Sequence, residues 1–523
     1  MSRTRTGLFT ALLAAMLATA CAGLPQTGTG GGGAAAQRFE QVRSSPPELR
    51  AFLARMPKGA DLHSHLSGAV YAETYIRLAA EQALCLDTTA MAFAKPAVTK
   101  PPATKPACAP GTVPAAELLK DQGLYAKAVD ALSLRDFVPA SGWSGHDQFF
   151  VTFGRFNAAS AAAGDLLAEA VDRAGRQRVE HVELMATAGN GGAIRALADT
   201  VGWNGDAADT TRRLMEAGLG DLIPGAKADL DRVETRMRDL LRCDTGTPSD
   251  GCGVSVRYIQ QVSRNQPPAR VFAQTLFAFL LTQAEPRVVG LNFVGPEDYR
   301  IARADYTRHM RMIDALHRVM PGVNVALHAG ELTLGIVPPE DLRFHIRQAV
   351  ELGHARRIGH GVDVMYEDDP WGLLRLMAER RVAVEVNLSS NDQILGVRDH
   401  QHPFPVYRKA GVPTVVSTDD EGVSRSDLTN ELQRAVSTYN LSYADVVELA
   451  RNSLEYSFLP GASLWTDVKA GRRAAACADA DPAGATPPAA CGALLEASEK
   501  ARVQWRLERA LADFDRRVAE DRL

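Results

Sequence analysis

Several features are scarce or absent in this sequence of 523 residues, and each absence narrows the class of protein. After the first 20 residues no stretch is long and apolar enough to span a bilayer, so we expect no membrane-spanning helix in the mature chain. Positive charge is not in excess, because the formal net charge is −4 at pH 7. The composition therefore gives no support for a nucleic-acid-binding or anionic-membrane surface. The seven cysteines contain no C-x-x-C spacing, which argues against a structural zinc site.

The sequence does contain enough apolar material for a large folded domain. Hydrophobic residues make up 46% of the chain and charged residues 23%, a balance typical of globular proteins with a sizeable core. The length fits two or three average domains, or one large barrel with additions.

The first 20 residues have the features of an export signal. Two arginines precede an apolar run at 8–20, and Cys21 follows the small residues of LATA. A short basic segment, an apolar segment and terminal small residues are typical of signal peptides rather than of a folded element. We therefore predict a signal peptide at 1–20 and a lipidated Cys21, as in bacterial lipoproteins. Plain secretory cleavage near Ala20 is the alternative.

The composition after the cysteine predicts a tether. Residues 23–37 are rich in glycine, alanine and threonine and have too few bulky side chains to form a core. We predict a flexible tether over 21–37 that joins an anchored end to a folded domain. The mature protein is thus expected in the periplasm or on the outer membrane, and it would contact the bilayer only through its lipid anchor.

Six cysteines remain once Cys21 is set aside, and an even number suggests disulfides in an oxidising compartment. Many connectivities are available to six cysteines, so the pairing is predicted from proximity alone. A structural zinc site is the alternative. The predicted pairs are Cys85 with Cys108, Cys243 with Cys252, and Cys477 with Cys491.

Short apolar runs alternate with longer helix-like segments through the middle of the chain. Strands that alternate with helices predict parallel βα units, and eight units predict an α/β fold of the (β/α)8 TIM barrel type. Helices are predicted at 299–319, 339–352 and 370–380. The eight apolar runs are 59–66, 179–187, 254–263, 288–295, 324–331, 357–362, 382–390 and 413–420.

The barrel, with additional helices, is assigned to 38–465. A segment rich in proline, lysine, alanine and threonine at 93–113 interrupts the alternation, so an exposed insertion after strand one is predicted at about 85–113. Residues 466–523 are predicted to form a helical extension. Within it, 502–523 has an amphipathic pattern whose apolar side would pack on the barrel.

Polar side chains lie at or beyond the carboxyl ends of several runs, where the active sites of (β/α)8 barrels lie. His63 and His65 are two residues apart on a strand, so both side chains point to one face and could bind a metal together. His328 adds a third imidazole, and Asp419 adds a carboxylate. Three histidines and one aspartate suit Zn²⁺, and we predict one zinc ion per chain.

Two further residues at the same ends could transfer protons. Glu331 follows His328 by three residues, and its carboxyl could protonate a ring nitrogen of a substrate. His360 is a candidate base or electrostatic partner for an attacking water. Asn387, Ser389 and Asn391 follow the seventh run.

Together these segments resemble the adenosine/AMP deaminase family of metal-dependent hydrolases. Five short motifs in order are a specific signature, and the resemblance extends over about 57–460. The segment VVGLNFVGPED is similar to the family's Gly-acid segment after strand four, and NSLEYSFL to its C-terminal helix. The export signal and LHSHLSGAVYAE make the chain look most similar to exported, growth-factor-type adenosine deaminases. The five motifs are PKGADLHSHLSG (57–68), HAGE (328–331), RIGHG (357–361), NLSSN (387–391) and STDDEG (417–422).

The resemblance implies a role for each site residue. Glu331 would protonate the purine N1, and His360 would help to deprotonate or orient the water. Asp420 would hydrogen-bond N7 and help to position the nucleophile, and the Gly295 backbone N–H would contact the ring. The implied reaction is that of adenosine deaminase, a zinc aminohydrolase that converts adenosine, and 2′-deoxyadenosine, to inosine and ammonia. A small-molecule nucleoside is the expected partner. The implied zinc ligands are His63, His65, His328 and Asp419.

One position departs from the family pattern. The common cytosolic form has an aspartate, which contacts the ribose 5′-hydroxyl, at the position of Ser67. Ribose recognition is therefore left open, and another 6-aminopurine compound is an alternative substrate. AMP is disfavoured because no basic cluster lies near the motifs, and Arg257 and Arg264 are expected to be solvated.

Two proteins of other classes are the rivals. Binuclear amidohydrolases that act on esters or amides often have a bridging lysine on strand four, and VVGLNFVG has none. A catalytically inactive nucleoside-binding or signalling protein is disfavoured because none of the six chemical positions (63, 65, 328, 331, 360 and 419) is lost. The oligomeric state cannot be read from the sequence.

Overall fold

The computed structural model describes residues 33–96, 108–484 and 486–522. The predicted signal peptide, Cys21 and most of the predicted tether lie outside these residues, as does the centre of the Pro-rich segment. None of the helices in the described part of the chain is both long and apolar enough to cross a membrane.

Eight parallel strands form the centre of the molecule, and we number only these. Each lies within one of the eight apolar runs of the sequence. The last four strands are buried along their whole length, as expected for parallel strands covered on both faces. The strands are β1 (Gly59–His65), β2 (Val179–Ala186), β3 (Ser255–Ser263), β4 (Val288–Val294), β5 (Ala326–Ala329), β6 (Arg357–His360), β7 (Ala383–Val386) and β8 (Thr414–Val416).

The strands close into a barrel. They form two four-stranded sheets, one containing β1 to β4 and one containing β5 to β8, each in chain order. Parallel bridges join the sheets at both seams, between Leu291 and Val325 and between Ser64 and Asp419. At the second seam the Asp419 N–H donates to the His63 carbonyl at 2.8 Å. The predicted (β/α)8 fold is confirmed.

Helices connect the strands and cover the barrel. The helix predicted at 370–380 has these bounds because Pro370 fits the first turn and the Asp369 side chain accepts a hydrogen bond from the Gly372 N–H. The helix predicted at 299–319 is interrupted at Asp305. The α-helices of the described residues are Ala34–Val42, Pro46–Arg55, Ala72–Glu81, Gln122–Ala131, Gly145–Phe156, Ala163–Arg176, Gly191–Val201, Ala207–Glu216, Ile223–Leu241, Pro268–Ala284, Arg300–Ala304, Tyr306–Val319, His345–Glu351, Pro370–Arg380, Leu388–Leu395, Phe404–Lys409, Glu421–Ser424, Leu428–Tyr439, Tyr443–Glu455, Ala489–Ala497 and Glu499–Ala519.

The first helix corrects the predicted end of the tether. Helix Ala34–Val42 includes the last four residues of the stretch predicted as flexible, 21–37. Alanine has the highest helix propensity, and Ala35 and Phe39 are fully buried. The packing partner that stabilises this helix is the C-terminal helix Glu499–Ala519, which composition alone could not supply.

The insertion after β1 contains a small antiparallel sheet formed by Cys85–Asp87, Ala92–Ala94 and Thr112–Pro114. Leu86 and Phe93 of this sheet are buried. At the other end of the chain, helix Glu499–Ala519 packs against helices Ala34–Val42 and Tyr443–Glu455 through an apolar side that includes a buried Phe514. Disulfides join the three pairs predicted from proximity, Cys85–Cys108, Cys243–Cys252 and Cys477–Cys491.

Candidate metal centre and active site

Four histidines and an aspartate converge at the carboxyl ends of the strands. His63 and His65 lie on β1, His328 on β5, His360 at the end of β6, and Asp419 just beyond β8. The two Nε2 atoms of His65 and His328 are 3.1 Å apart. Asp419 Oδ1 lies 3.5 Å from His63 Nε2 and 3.4 Å from His65 Nε2. Segments hundreds of residues apart therefore share one centre, as the barrel predicts.

The donor set fits a single divalent ion. Ligand atoms of His63, His328, His360 and Asp419 all lie within 4.8 Å of one another, and all four residues are buried. His63 Nε2 and Asp419 Oδ1 have no hydrogen-bond partner among the described residues. Unpaired buried polar atoms are costly, and a cation among them would remove that cost. Imidazole nitrogen and carboxylate oxygen are donors that zinc accepts.

Hydrogen bonds fix which nitrogen of His360 carries its proton. The Phe404 N–H donates to His402 Nδ1 at 3.1 Å, so His402 Nε2 carries a proton and donates to Asn391 Oδ1 at 3.0 Å. This orients the Asn391 amide so that its Nδ2 donates to His360 Nδ1 at 2.9 Å. The neutral His360 ring therefore has its proton on Nε2, which disfavours His360 as a metal ligand. Burial lowers the pKa of His360 to about 3, which keeps the ring neutral.

His63 is held from behind by an acidic side chain that sequence reasoning did not identify. Glu385 on β7 accepts a hydrogen bond from His63 Nδ1 at 2.6 Å. Arg357 forms two salt bridges, one with Glu385 at 2.5 Å and one with Glu183 at 2.7 Å, and all three side chains are fully buried. Such a carboxylate–histidine pair directs the other ring nitrogen toward a metal. The available signal was a charged residue inside the apolar run VAVEV.

His328 has a comparable partner in Asn292 of β4. Asn292 Oδ1 accepts from His328 Nδ1 at 2.8 Å and from the His328 N–H at 3.0 Å. His328 Nε2 is thereby left free of a proton and faces the centre. An amide in the apolar segment GLNF was the sequence signal for this residue.

Glu331 lies at the edge of the centre and is held through its backbone. Its Oε1 is 3.6 Å from His360 Nδ1. The Glu297 carboxylate, itself buried, accepts from the Gly330 N–H at 3.1 Å and from the Glu331 N–H at 2.9 Å. Glu297 also accepts from His345 Nδ1 at 2.6 Å. Burial, and then the charge of Asp419, raise the pKa of Glu331 well above its usual range, which favours the protonated carboxyl.

The remaining charges of the centre are set by burial and by neighbouring groups. Burial would raise the pKa of Asp419, but its contacts with His63 and the nearby histidines outweigh it and hold this pKa well below its usual range. Burial would lower the pKa of His63, but contacts with Asp419 and Glu385 raise it to about 10. Metal binding must therefore displace a proton from His63. Burial lowers the pKa of His65 to about 4.

Asp420 and the backbone around it are tightly packed. Burial and the charge of Asp419 raise the pKa of Asp420 well above its usual range. A Cβ on Gly68 would lie 1.5 Å from Asp420 Oδ1, so only glycine fits there. His360 and Asp419 both have left-handed backbone conformations, with φ of 69° and 57°. Such strain in non-glycine residues is typical of functional sites.

The predicted ring contact, Gly295, directly follows β4. Its backbone has φ of 96°, and its carbonyl accepts from Arg264 Nε at 2.7 Å. Arg264 also donates to the His328 carbonyl at 3.2 Å, and it is only 2% exposed. The expectation that Arg264 is solvated is wrong, because strand-end carbonyls and Glu297 offer it partners inside the barrel.

Ser67 and Arg257 have surroundings other than the candidate metal ligands. Ser67 lines a cavity of about 680 Å³ together with Phe153, Phe156 and Gln261. Arg257 pairs with Glu499 of the C-terminal helix, so it is also not merely solvated.

Comparison with known proteins gives partial matches. The sequence model of a family described as adenosine deaminase matches residues 235–464. An adenosine deaminase of Clostridium perfringens is 33% identical over 138 residues, which is 26% of this chain and 38% of that protein. An adenine deaminase of Rhizobium rhizogenes is 29% identical over 247 residues, which is 47% of this chain and 68% of that protein. This chain therefore spans only 38% of the length of the Clostridium perfringens adenosine deaminase.

One solved structure is similar over most of the chain at low identity. The alignment with the apo N6-methyl-AMP deaminase of Arabidopsis thaliana covers 79% of this chain and 94% of that chain, with 19% identity and a TM-score of 0.49.

The family match at 235–464 contains the motifs with His328, Glu331, His360 and Asp419.

Proposed function

Because the chain belongs to the adenosine deaminase family, we propose that it is a metal-dependent hydrolase that deaminates adenosine, and 2′-deoxyadenosine, to inosine and ammonia. One observation carries this proposal: a buried set of imidazoles around Asp419 lies beside Glu331, a carboxyl whose pKa is raised well above its usual range by burial and by Asp419. A metal-ligand set and a neutral acid side by side are what hydrolytic deamination of a purine needs.

The proposed cofactor is one Zn²⁺ per chain. When bound, zinc lowers the pKa of a water ligand to about 7 and so supplies a nucleophile at neutral pH. His65 is preferred over His360 as a ligand because the Asn391 hydrogen bond leaves the His360 proton on Nε2. The proposed ligands are His63, His65, His328 and Asp419.

Glu331 is the proposed proton donor to the purine N1. Protonation of N1 makes C6 more electrophilic, so that the oxygen of water adds there and the C6–N bond breaks. One water proton leaves with the amine as ammonia, and the other replaces the proton that Glu331 gave to N1. The carboxyl therefore ends the cycle as it began it.

His360 and Asp420 act as donors in this proposal. The Nε2–H of His360 would donate to the attacking oxygen and orient it, which favours the orienting role over that of a base. Purine N7 is an acceptor, and a protonated Asp420 can donate to it. The Gly295 backbone N–H would contact the ring, and Ser67 would lie on the ribose side.

The proposed location is outside the cytoplasm, in the periplasm or on the outer membrane through a lipid on Cys21. Three disulfides among the described residues support an oxidising compartment. Replacement of Cys21 by serine should release the protein from the membrane fraction. If wild-type protein is found in the soluble fraction as well, plain secretory cleavage is the better account.

A substrate panel with measured metal content tests the proposed activity. Adenosine, 2′-deoxyadenosine, adenine and AMP are compared by ammonia release, with zinc per chain determined on the same sample. We expect the nucleosides to be the best substrates and one zinc per chain. Adenine is the second candidate, because Ser67 replaces the acid that contacts the ribose in the common form. Two metal ions per chain with esterase or amidase activity would instead indicate a binuclear amidohydrolase.

A further inference from the structure

A second cavity, of about 690 Å³, lies on the amino-terminal face of the barrel, opposite the metal centre. Its walls include Asn324, Arg356 and Val382, which lie one or two residues before β5, β6 and β7. The turn after helix Tyr443–Glu455 and the start of the C-terminal helix complete it. Nothing in the proposed deamination uses this cavity.

Positive charge accumulates around this cavity although the chain is acidic overall, with a net charge of −4. Its lining has four cationic side chains, Arg356, Arg380, Arg381 and Lys500, and one carboxylate, Glu455. Of these four cations, only Arg381 pairs with that carboxylate, at 3.4 Å. Among the described residues, the other three cations have no carboxylate partner within salt-bridge distance. The cavity therefore has a surplus of uncompensated positive charge.

Part of this charge has a structural explanation. Lys500 Nζ donates to the carbonyls of Glu455 and Ser457, both at 2.8 Å, and so caps the carboxyl end of helix Tyr443–Glu455. Arg380 reaches the Val350 carbonyl at 3.5 Å. Cations are stabilised near helix carboxyl ends by the helix dipole.

Arg356 is not explained in this way. Arg356 makes one side-chain hydrogen bond within the described residues, to Asn324 Oδ1 at 2.6 Å, although a guanidinium has five N–H donors. Burial, and then the charge of Arg357, lower the pKa of Arg356. Burial also lowers the pKa of Lys500.

We propose that this cavity binds a small soluble oxyanion that carries two negative charges, a phosphoryl or sulfate group. Guanidinium groups bind the oxygens of such anions through paired, charge-assisted hydrogen bonds. The cavity volume lies within the usual range for small-molecule sites. The inference is independent of the deamination, since it rests on residues at the opposite end of the barrel.

Inorganic phosphate is the probe, titrated into the full-length protein by calorimetry with ionic strength held constant by chloride. We expect saturable binding that is weakened by about tenfold or more in the double variant Arg356→Gln/Arg381→Gln, since this variant removes two charge-assisted contacts. The single variant Arg381→Gln, 59% exposed, keeps the test available if the double variant folds poorly. Phosphate should also raise the melting temperature of the wild type more than that of the double variant.

Arg212→Gln is the matched control, because Arg212 is 58% exposed and lies on another helix, Ala207–Glu216. It should bind phosphate as the wild type does. Equal binding by wild type and double variant, or an equal loss in Arg212→Gln, would overturn the proposal. So would binding to phosphatidylglycerol vesicles without any saturable binding of free phosphate, which would point to a lipid surface instead.

Discussion

Replacement of Glu331 by glutamine is the sharpest test of the proposed chemistry. The carboxyl is 7% exposed, and burial together with Asp419 raises its pKa well above the usual range, which favours the protonated form. Glutamine has the shape and charge of a protonated carboxyl, but it has no acidic proton to transfer. Folding and metal content should therefore be unchanged, while the proton transfer to the substrate is lost.

A positioned general acid typically contributes about 10²–10⁴-fold to the rate, which corresponds to about 3–5 kcal/mol in the activation barrier. We expect a loss of this size in kcat, measured by ammonia release from adenosine, with zinc determined on the same sample. Glu367→Gln is a matched control, because Glu367 is also a buried acid with a raised pKa and lies outside the centre. A zinc-loaded Glu331→Gln variant with near wild-type turnover would refute the assigned role.

Three further predictions concern Asn292, Asn391 and Glu367. Asn292→Ala removes the acceptor for His328 Nδ1, so metal affinity should fall by roughly 10–100-fold in a chelator competition, and unchanged affinity would contradict the role. In Asn391→Asp, residue 391 can no longer donate to His360 Nδ1, so the His360 ring proton should move to Nδ1. Turnover should then fall by roughly 10–100-fold with the metal retained. Imidazole ¹⁵N chemical shifts that stay as in the wild type would count against this prediction. Burial raises the pKa of Glu367 from 4.5 to about 7, so the folded state holds its proton longer than the unfolded state and stability falls as pH rises through this window. This fall in the free energy of unfolding with pH, up to about 3 kcal/mol in total, should be absent when Glu367→Gln is unfolded in urea at the same pH values.

Much of the fold could be predicted because its signals are local. A buried parallel strand needs a short apolar run, and a helix such as Pro370–Arg380 begins at a capping aspartate and a proline that stand next to each other in the chain. Disulfide partners separated by 9 to 23 residues are close in sequence as well as in space. The candidate metal ligands could also be predicted, because a barrel brings the carboxyl end of every strand to one mouth.

The partners of those ligands depended on the tertiary structure. Glu385 and Asn292 are ordinary strand residues in the sequence, and their roles follow from which histidine each one meets across the barrel. Arg264 is buried because carbonyls of separate strands surround it, although a lone arginine in a sequence is best read as solvated.

The sequence by itself determined the strand pattern, the motifs and the identity of the candidate donors to a metal, because these depend on neighbouring residues. Only the tertiary structure decided that His360 has its proton on Nε2, through contacts with Asn391 and His402. It also decided that helix Ala34–Val42 folds against the far end of the chain. Protonation and packing depend on the groups that surround an atom in space, and those groups come from segments whose separation along the chain carries no information about their contact.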